Sequence, residues 1–268
     1  SFHFVLISRV DPPLSLARFR ANGNLTEIRT ADLCFTSTET AAFFADNMHT
    51  SLSSAEITTL ATRTEGWIAG MRLAVKSLQG GQKSADGANL FSGEDRYIMD
   101  YFMEEVFNHQ NVDIQQFLLK TSLLERLTAP LCDEVTGQSS SQTMLETLEG
   151  RNLFLVSLDS KRSWYRYHSL FADFLRKLLW CQNPDIPSVL RYRASRWYES
   201  HGFMAEAIEQ ALSCSDWKRV VQIAEPISER MIAQGHHVTL QRWLQALPAE
   251  VMQAHLHLSI NYIWTLVH

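Results

Sequence analysis

The sequence predicts a mainly α-helical protein. It contains 11 glycines and 7 prolines among 268 residues, about half the usual share of the two residues that interrupt helices. Hydrophobic residues make up 46% of the chain and charged residues 20%, which is typical of a folded protein with a buried core. Apolar residues recur with helical spacing over most of the length. A chain this long corresponds to about two domains.

The beginning of the chain departs from this helical pattern. Residues 3–9 form a short apolar block that Pro12 and Pro13 end, which predicts a buried strand. Residues 14–21 predict a short basic helix, and residues 25–29 predict a second strand. Two strands and one helix are therefore expected before the helical region begins.

Three longer helices are predicted next. Thr36 with Glu39, and Ser53 with Glu56, have the spacing of a capping box, in which two side chains cap the first turn of a helix. The third helix is predicted from Gly66 to about residue 79, with a wide apolar face.

Residues 80–93 are the most linker-like segment, rich in glycine and small polar residues, and we place a subdomain boundary there. Residues 80–84 resemble the end of a phosphate-binding loop. However, Gln82 replaces the glycine that precedes the lysine in such loops, and no predicted strand leads into the segment. We therefore interpret it as a solvated linker.

The region after the linker has the outline of a winged helix. Several predicted helices are followed by two β-rich segments, residues 152–158 and 164–167, which five polar residues join into a predicted hairpin. A strongly apolar helix is predicted at residues 170–179. The order of helices, hairpin and helix is that of a winged helix.

The charges of this winged helix argue against DNA recognition. The helix before the hairpin, residues 139–149, would occupy the major groove, yet it carries Glu146 and Glu149 and has no lysine or arginine. The hairpin has too few basic residues to offset that repulsion, and the chain has a net charge of −5. We therefore predict that the winged helix does not bind DNA.

The last part of the chain predicts antiparallel helix pairs. Residues 191–200 and 203–212 form two predicted helices with a minimal loop between them. Trp197 and Tyr198 on the first helix face alanines on the second, which is the packing that tetratricopeptide-like (TPR-like) solenoids use. We predict the start of such a helical superhelix.

Metal sites and disulfides are not indicated. The four cysteines are far apart and form no C-x-x-C pair, so neither a disulfide framework nor a zinc module is indicated, and a reducing compartment is favoured. The pairs His236–His237 and His255–His257 point in different directions on a helix, so neither pair predicts a metal site. Neither a signal peptide nor a membrane span is recognised. Because Ser1 is not methionine and the last helix ends mid-pattern, we interpret the chain as a fragment of a longer polypeptide.

Two motifs resemble a known family. They are Thr-Glu-Gly-Trp-Ile-Ala-Gly-Met-Arg-Leu-Ala from Thr64 and Trp-Tyr-Arg-Tyr-His-Ser-Leu-Phe-Ala-Asp-Phe-Leu-Arg from Trp164. Together with weaker matches along the chain, they resemble the MalT-like ATP-dependent activators of the LuxR type. That family belongs to the STAND class of signal-transduction ATPases. The resemblance extends over essentially the whole chain and is most specific at 61–74 and 151–176.

The resemblance implies four segments. Residues 1–30 would end the α/β core of a P-loop ATPase domain, 31–90 would form a helical lid, 91–183 the winged helix, and 184–268 the start of a TPR-like sensor domain. The phosphate loop and the Mg²⁺-binding aspartate strand of the family have no counterpart in this chain. We therefore expect the fragment alone to bind ATP weakly or not at all and not to hydrolyse it.

The resemblance also implies four nucleotide-binding residues. Arg9 would read the γ-phosphate of ATP, and its alternative role is a surface ion pair. Gly66 and Trp67 would lie in the lid near adenine, although Ile68 stands where many relatives have proline and Trp67 could be a core residue. His168 would contact the β-phosphate of ADP, and its alternative role is to cap a helix.

For the parent protein, the resemblance implies a cytoplasmic switch with slow ATPase activity. It would be monomeric with ADP and would self-associate with ATP and an inducer bound to the helical domain. Its partners would be a P-loop domain in cis, the inducer, and DNA through a separate helix-turn-helix, with no membrane. The alternative is a stand-alone helical scaffold without a nucleotide role, and an upstream phosphate loop would distinguish the two. A third possibility, a DNA-reading winged helix, predicts strongly salt-dependent duplex binding.

Overall fold

The computed structural model describes residues 4–8, 11–48, 52–79, 91 and 95–267. The predicted site residue Arg9 and nearly all of the predicted linker lie outside these residues. The chain divides into two compact units, one of Ser1–Ala129 with Ser140–Cys181 and one of Pro130–Ser139 with Gln182–His268. This division into two units does not test the boundaries of the four predicted segments, which stay predictions.

The prediction of a mainly α-helical protein is confirmed. In the described residues, the elements up to residue 182 are α1 (Leu16–Ala21), α2 (Thr30–Leu33), α3 (Ser37–Asn47), α4 (Ser54–Thr64), α5 (Ile68–Gln79), α6 (Arg96–Tyr101), a π-helical turn (Phe102–Phe107), α7 (Val112–Thr121), α8 (Ala129–Thr136), α9 (Ser141–Gly150), β1 (Leu155–Ser157), β2 (Tyr165–Tyr167) and α10 (Ser169–Gln182). They are followed by α11 (Ile186–Ser200), α12 (Met204–Leu212), α13 (Trp217–Ala233), α14 (His237–Gln245), α15 (Ala249–Ala254) and α16 (Leu256–Val267).

The two strands predicted near the start of the chain are wrong. Residues 4–8 have no regular structure, and Phe4 and Ile7 are 87% and 97% exposed. Residues 25–29 also form no strand. A strand needs a neighbour for its backbone N–H and C=O groups, and the described residues contain no sheet besides the β1–β2 hairpin. Among the residues that the structure describes, the apolar block therefore has no strand beside it.

Both predicted capping boxes are present. The Thr36 side chain accepts from the Glu39 N–H at 3.3 Å, and the Glu39 carboxylate accepts from the Thr36 N–H at 2.8 Å. Ser53 and Glu56 make the same exchange at 3.2 and 2.6 Å. These bonds satisfy N–H groups that the helix itself leaves unpaired, which is why α3 and α4 begin at these positions.

The hairpin is also confirmed. β1 and β2 are antiparallel, with Leu155 opposite Tyr167 and Ser157 opposite Tyr165. In the loop between them, the Asp159 carboxylate accepts from the N–H groups of Ser163 and Trp164, each at 3.0 Å. That carboxylate closes the turn and directs the chain back into β2.

Aromatic rings fill the core of the first unit. Phe102, in the π-helical turn, lies against Phe154 beside the hairpin and against Phe171 and Phe174 of α10, with centroids 5.1–5.5 Å apart. All except Phe154 are fully buried. Large aromatic side chains contribute much of the buried apolar area of such a core. It fixes the hairpin and the start of α10 relative to the preceding helices.

The second unit is built from antiparallel helices. Ala207 and Ala211 of α12 are buried, and the Ser195 hydroxyl of α11 donates to the Ala207 carbonyl at 2.8 Å. Trp243 of α14 is buried and donates its indole N–H to Glu209 of α12 at 2.9 Å. Both predicted helices of the first pair are present, while the TPR-like nature of this region stays a prediction.

The described residues contain neither a membrane-spanning helix nor a cluster of metal-binding side chains. Within the described ranges, every helix falls short of the length and hydropathy needed to cross a bilayer. In the same ranges, no three His, Cys, Asp or Glu side chains are placed to bind one metal ion.

Candidate functional site at the junction of α4, α5 and the winged helix

The sharp corner between α4 and α5 lies at the first predicted motif. Glu65 and Gly66 are both in the left-handed conformation, with φ of 49° and 73°. A Cβ at position 66 would lie 2.4 Å from the Phe35 carbonyl oxygen, so only glycine fits without rearrangement. The Gly66 carbonyl accepts from the Phe35 N–H at 2.9 Å. Gly66 therefore fixes the backbone of this corner, and its place near adenine stays a prediction.

Trp67 points into the aromatic core. It stacks on Phe102 at 5.6 Å and lies edge-on to Phe154 and His168 at 5.1 and 5.9 Å. Gly70, one turn later on α5, makes room for the indole, since a Cβ there would lie 2.5 Å from the ring. The core role left open by the sequence is thus present for Trp67, while an adenine contact stays a prediction.

The Glu65 carboxylate joins the corner to the winged helix. It accepts two bonds of 2.8 Å from the Arg166 guanidinium on β2. It also accepts from the N–H and the hydroxyl of Ser169, the first residue of α10, at 2.9 and 2.6 Å. A carboxylate at a helix N-terminus meets unpaired N–H groups and the positive end of the helix dipole. One side chain thus connects three elements.

The ionisation of Glu65 reflects these bonds. Burial by itself raises the pKa of Glu65, but the Arg166 guanidinium, the nearby His168 and the two Ser169 donors lower that pKa to about 2. Glu65 is therefore a carboxylate throughout the neutral and mildly acidic range.

His168 lies beside this carboxylate, between β2 and α10, and is only 8% exposed. Its Nε2 is 3.0 Å from the Thr64 carbonyl oxygen, and its Nδ1 is 3.3 Å from the Leu170 backbone nitrogen. Because the amide can only donate and the carbonyl can only accept, Nδ1 is the acceptor and Nε2 carries the proton. The Thr64 carbonyl also accepts from the Trp67 N–H at 2.8 Å.

The imidazole of His168 is neutral in this setting. Burial lowers its pKa, and the Glu65 carboxylate and the Thr64 carbonyl oppose that shift. The capping alternative is partly present, since Nδ1 accepts from an N–H in the first turn of α10. We call the set Thr64, Glu65, Arg166, His168 and Ser169 the junction.

Sequence reasoning found part of the junction. Of its members, His168 was predicted as a site residue. The predicted residues Gly66 and Trp67 lie beside the junction at the α4–α5 corner, and Arg9 lies outside the described residues. Glu65 and Arg166 were missed, because 101 residues separate them and only the fold brings them together. The available signal was the acidic residue directly before the corner glycine and a lone arginine on the second hairpin strand.

The two arginines of the hairpin face carboxylates of the same unit. Arg162 lies 3.4 Å from Glu149 of α9, and Arg166 holds Glu65. Guanidinium groups that carboxylates already neutralise attract phosphates weakly. This arrangement supports the prediction that the winged helix does not read DNA.

The helices and the hairpin of this region have the order of a winged helix, and a sequence comparison supports that class. Residues 103–186 match the family model described as the MalT winged helix domain.

The similarity extends over most of the chain. It is 30% identical over 266 residues to the HTH-type transcriptional regulator MalT of Serratia proteamaculans, covering 97% of this chain and 29% of that protein. It is 31% identical over 263 residues to MalT of Cronobacter sakazakii, with the same coverage. It is 32% identical over 251 residues to the serine/threonine-protein kinase PknK of Mycobacterium tuberculosis, covering 94% of this chain and 23% of that protein.

These matches confirm the resemblance that the two motifs predicted. The chain is similar to MalT regulators over nearly its whole length, and it spans less than a third of the length of the curated relatives it matches.

Proposed function

We propose that the chain is the regulatory part of an inducer-responsive transcription regulator that ATP and ADP switch. Its similarity to MalT regulators over 97% of its length supports a role in transcription regulation. The helical second unit would receive the inducer or a partner protein, and the junction would transmit nucleotide state to the winged helix. DNA would be bound by a helix-turn-helix outside this chain.

The names of the relatives favour a shared regulatory role. One relative is named as a protein kinase and others as HTH-type regulators, yet all align with nearly the whole chain. A segment that a kinase and transcription regulators have in common is expected to receive and transmit a signal. We therefore assign neither phosphorylation nor DNA reading to this chain.

The observation that carries the proposal is the state of His168. Its neutral imidazole presents an Nε2–H donor, which here binds a single backbone carbonyl of the α4–α5 corner. That donor suits a phosphate oxygen of ADP, and exchanging one acceptor for the other would link the nucleotide to the corner. Among the described residues, His168 is the predicted phosphate ligand, and the remaining phosphate and Mg²⁺ ligands are assigned to the P-loop domain of the parent protein.

The test is nucleotide retention by the full-length protein that contains this chain. We expect the wild type to retain ADP through purification and His168→Gln to lose most of it, at least about tenfold in affinity, since one charge-assisted bond to phosphate is lost. His201→Gln, an exposed histidine of the second unit, serves as the matched control and is expected to retain ADP. Equal ADP retention by both variants would contradict the proposal.

The stand-alone scaffold has one observation in its favour. Both ring nitrogens of His168 already have partners within this chain, as expected of a purely structural histidine. Under that alternative, His168→Gln lowers the stability of the protein without any effect on nucleotide retention. Thermal unfolding measured beside ADP retention separates the two functions.

A further inference from the structure

The ion pair of Glu65 and Arg166 fixes the orientation of both side chains in addition to attracting opposite charges. It is a bidentate pair with two bonds of 2.8 Å, and the side chains of Glu65 and Arg166 are 20% and 35% exposed. Two parallel N–H···O bonds fix the planes of both groups, which a single contact does not do. Covering such charges costs free energy, so the geometry points to a specific role.

The backbone at Glu65 indicates the same. A left-handed conformation is uncommon for a residue other than glycine, and structures maintain it only where other contacts compensate. Here four hydrogen bonds from Arg166 and Ser169 compensate. These bonds also fix the start of α10, and the Leu170 N–H on which Nδ1 of His168 depends lies one residue further on.

We propose that Glu65 and Arg166 are positioning residues, which lock the α4–α5 corner to the winged helix and keep His168 buried with its proton on Nε2. The purpose of this lock rests on the proposed function, since the lock would present the Nε2–H of His168 to the phosphate. Its physical content needs no nucleotide, so it can be tested on this chain alone.

Several charged groups surround the imidazole and decide what a titration would show. Glu65 faces it from the α4–α5 corner, Arg166 from β2, and Asp173 from α10, where Asp173 also binds Arg63 of α4 at 3.1 Å. Removing the Glu65 charge alone would lower the pKa of His168 further, because the nearest carboxylate favours the protonated ring. Loss of the lock would instead expose the ring and raise its pKa towards about 6.5. The two roles therefore predict opposite signs.

The decisive variant is Glu65→Gln, studied in the 268-residue chain with ¹⁵N-labelled histidine and no nucleotide. The His168 ring signals are assigned by their loss in His168→Gln. The glutamine amide would direct an N–H₂ group at a guanidinium that can only donate, so the bidentate pair cannot form. We expect the His168 pKa to rise towards 6.5 and the ring nitrogens to show mixed tautomers. A fall of that pKa with the proton kept on Nε2 would overturn the proposal.

Arg166→Lys is the milder variant and decides the matter if Glu65→Gln does not fold. It keeps the positive charge but loses the planar pair, so electrostatics alone predicts no change while the lock predicts a smaller upward shift. The matched control is Glu149→Gln, which removes a carboxylate that pairs with an arginine of the same hairpin at 3.4 Å. We expect it to leave His168 unchanged, and an equal shift in this control would refute a specific lock.

The outcome is separable from that of the nucleotide test. If His168→Gln loses ADP while Glu65→Gln leaves the His168 titration and tautomer unchanged, the proposed function stands and the lock is wrong. If the titration shifts upward while ADP retention does not depend on His168, the lock stands and the nucleotide role is wrong.

Discussion

Among single residues, Gly66 shows how strictly the corner is specified. Its positive φ is unfavourable for any side chain, and a Cβ at this position would clash with the backbone of Phe35. Backbone atoms cannot move aside as a side chain does. The corner that presents the Thr64 carbonyl to His168 therefore depends on the absence of one methyl group.

We predict that Gly66→Ala lowers the free energy of unfolding of the first unit by roughly 2 kcal/mol or more, because it adds a steric clash to the conformational strain. Gly23→Ala is the matched control, with a similar φ of 66° and nothing within 4 Å of the added carbon. That control should lose about 1 kcal/mol. Urea denaturation followed by circular dichroism measures both, and equal losses would show that the Phe35 contact does not matter.

Among whole elements, the close approach of α11 and α12 depends on small side chains. Ala207 and Ala211 are buried on the face of α12 towards α11, and the Ser195 hydroxyl reaches the backbone of α12. Larger side chains at these positions would force the helices apart or into poor rotamers.

Ala207→Leu is therefore expected to destabilise the second unit by about 1–3 kcal/mol through overpacking. Ala205→Leu, on the exposed face of the same helix, should change stability by less than about 0.5 kcal/mol. Tryptophan fluorescence during urea denaturation can report both values. A similar loss in the two variants would mean that helix propensity, rather than packing, decides the stability of α12.

How much of the structure can be predicted from the sequence depends on how far apart along the chain the interacting residues lie. The capping boxes join residues three positions apart, and the hairpin depends on a turn that Asp159 closes. Short segments of the sequence are therefore enough to predict both. The strand expected at residues 3–9 was wrong, since an apolar block does not show whether a pairing strand exists. Glu65 and Arg166 escaped notice because nothing near either residue identifies its distant partner.

For the molecule as a whole, the net charge and the placement of basic residues determine whether nucleic acid is attracted. The net charge is −5, and the hairpin arginines lie against carboxylates. Nucleic-acid binding depends on releasing counterions from phosphates through unpaired basic residues. Arg162 and Arg166 of the hairpin are therefore poorly placed for that task.

We therefore predict no measurable duplex binding by the 268-residue chain at physiological salt. Fluorescence anisotropy of a labelled DNA duplex, repeated from low to high salt, tests this. Binding that weakens steeply with salt would show that a basic surface exists and would support a DNA-reading winged helix instead.

The second hydrogen bond of the Thr64 carbonyl lowers the free-energy cost of moving His168 away from that oxygen. That oxygen accepts from both the Trp67 amide and His168, so one bond remains when the imidazole swings towards another acceptor. A carbonyl that keeps one partner avoids the penalty of a fully stranded polar atom. Under the proposed function, the Thr64 carbonyl would therefore remain hydrogen-bonded in both positions of the imidazole.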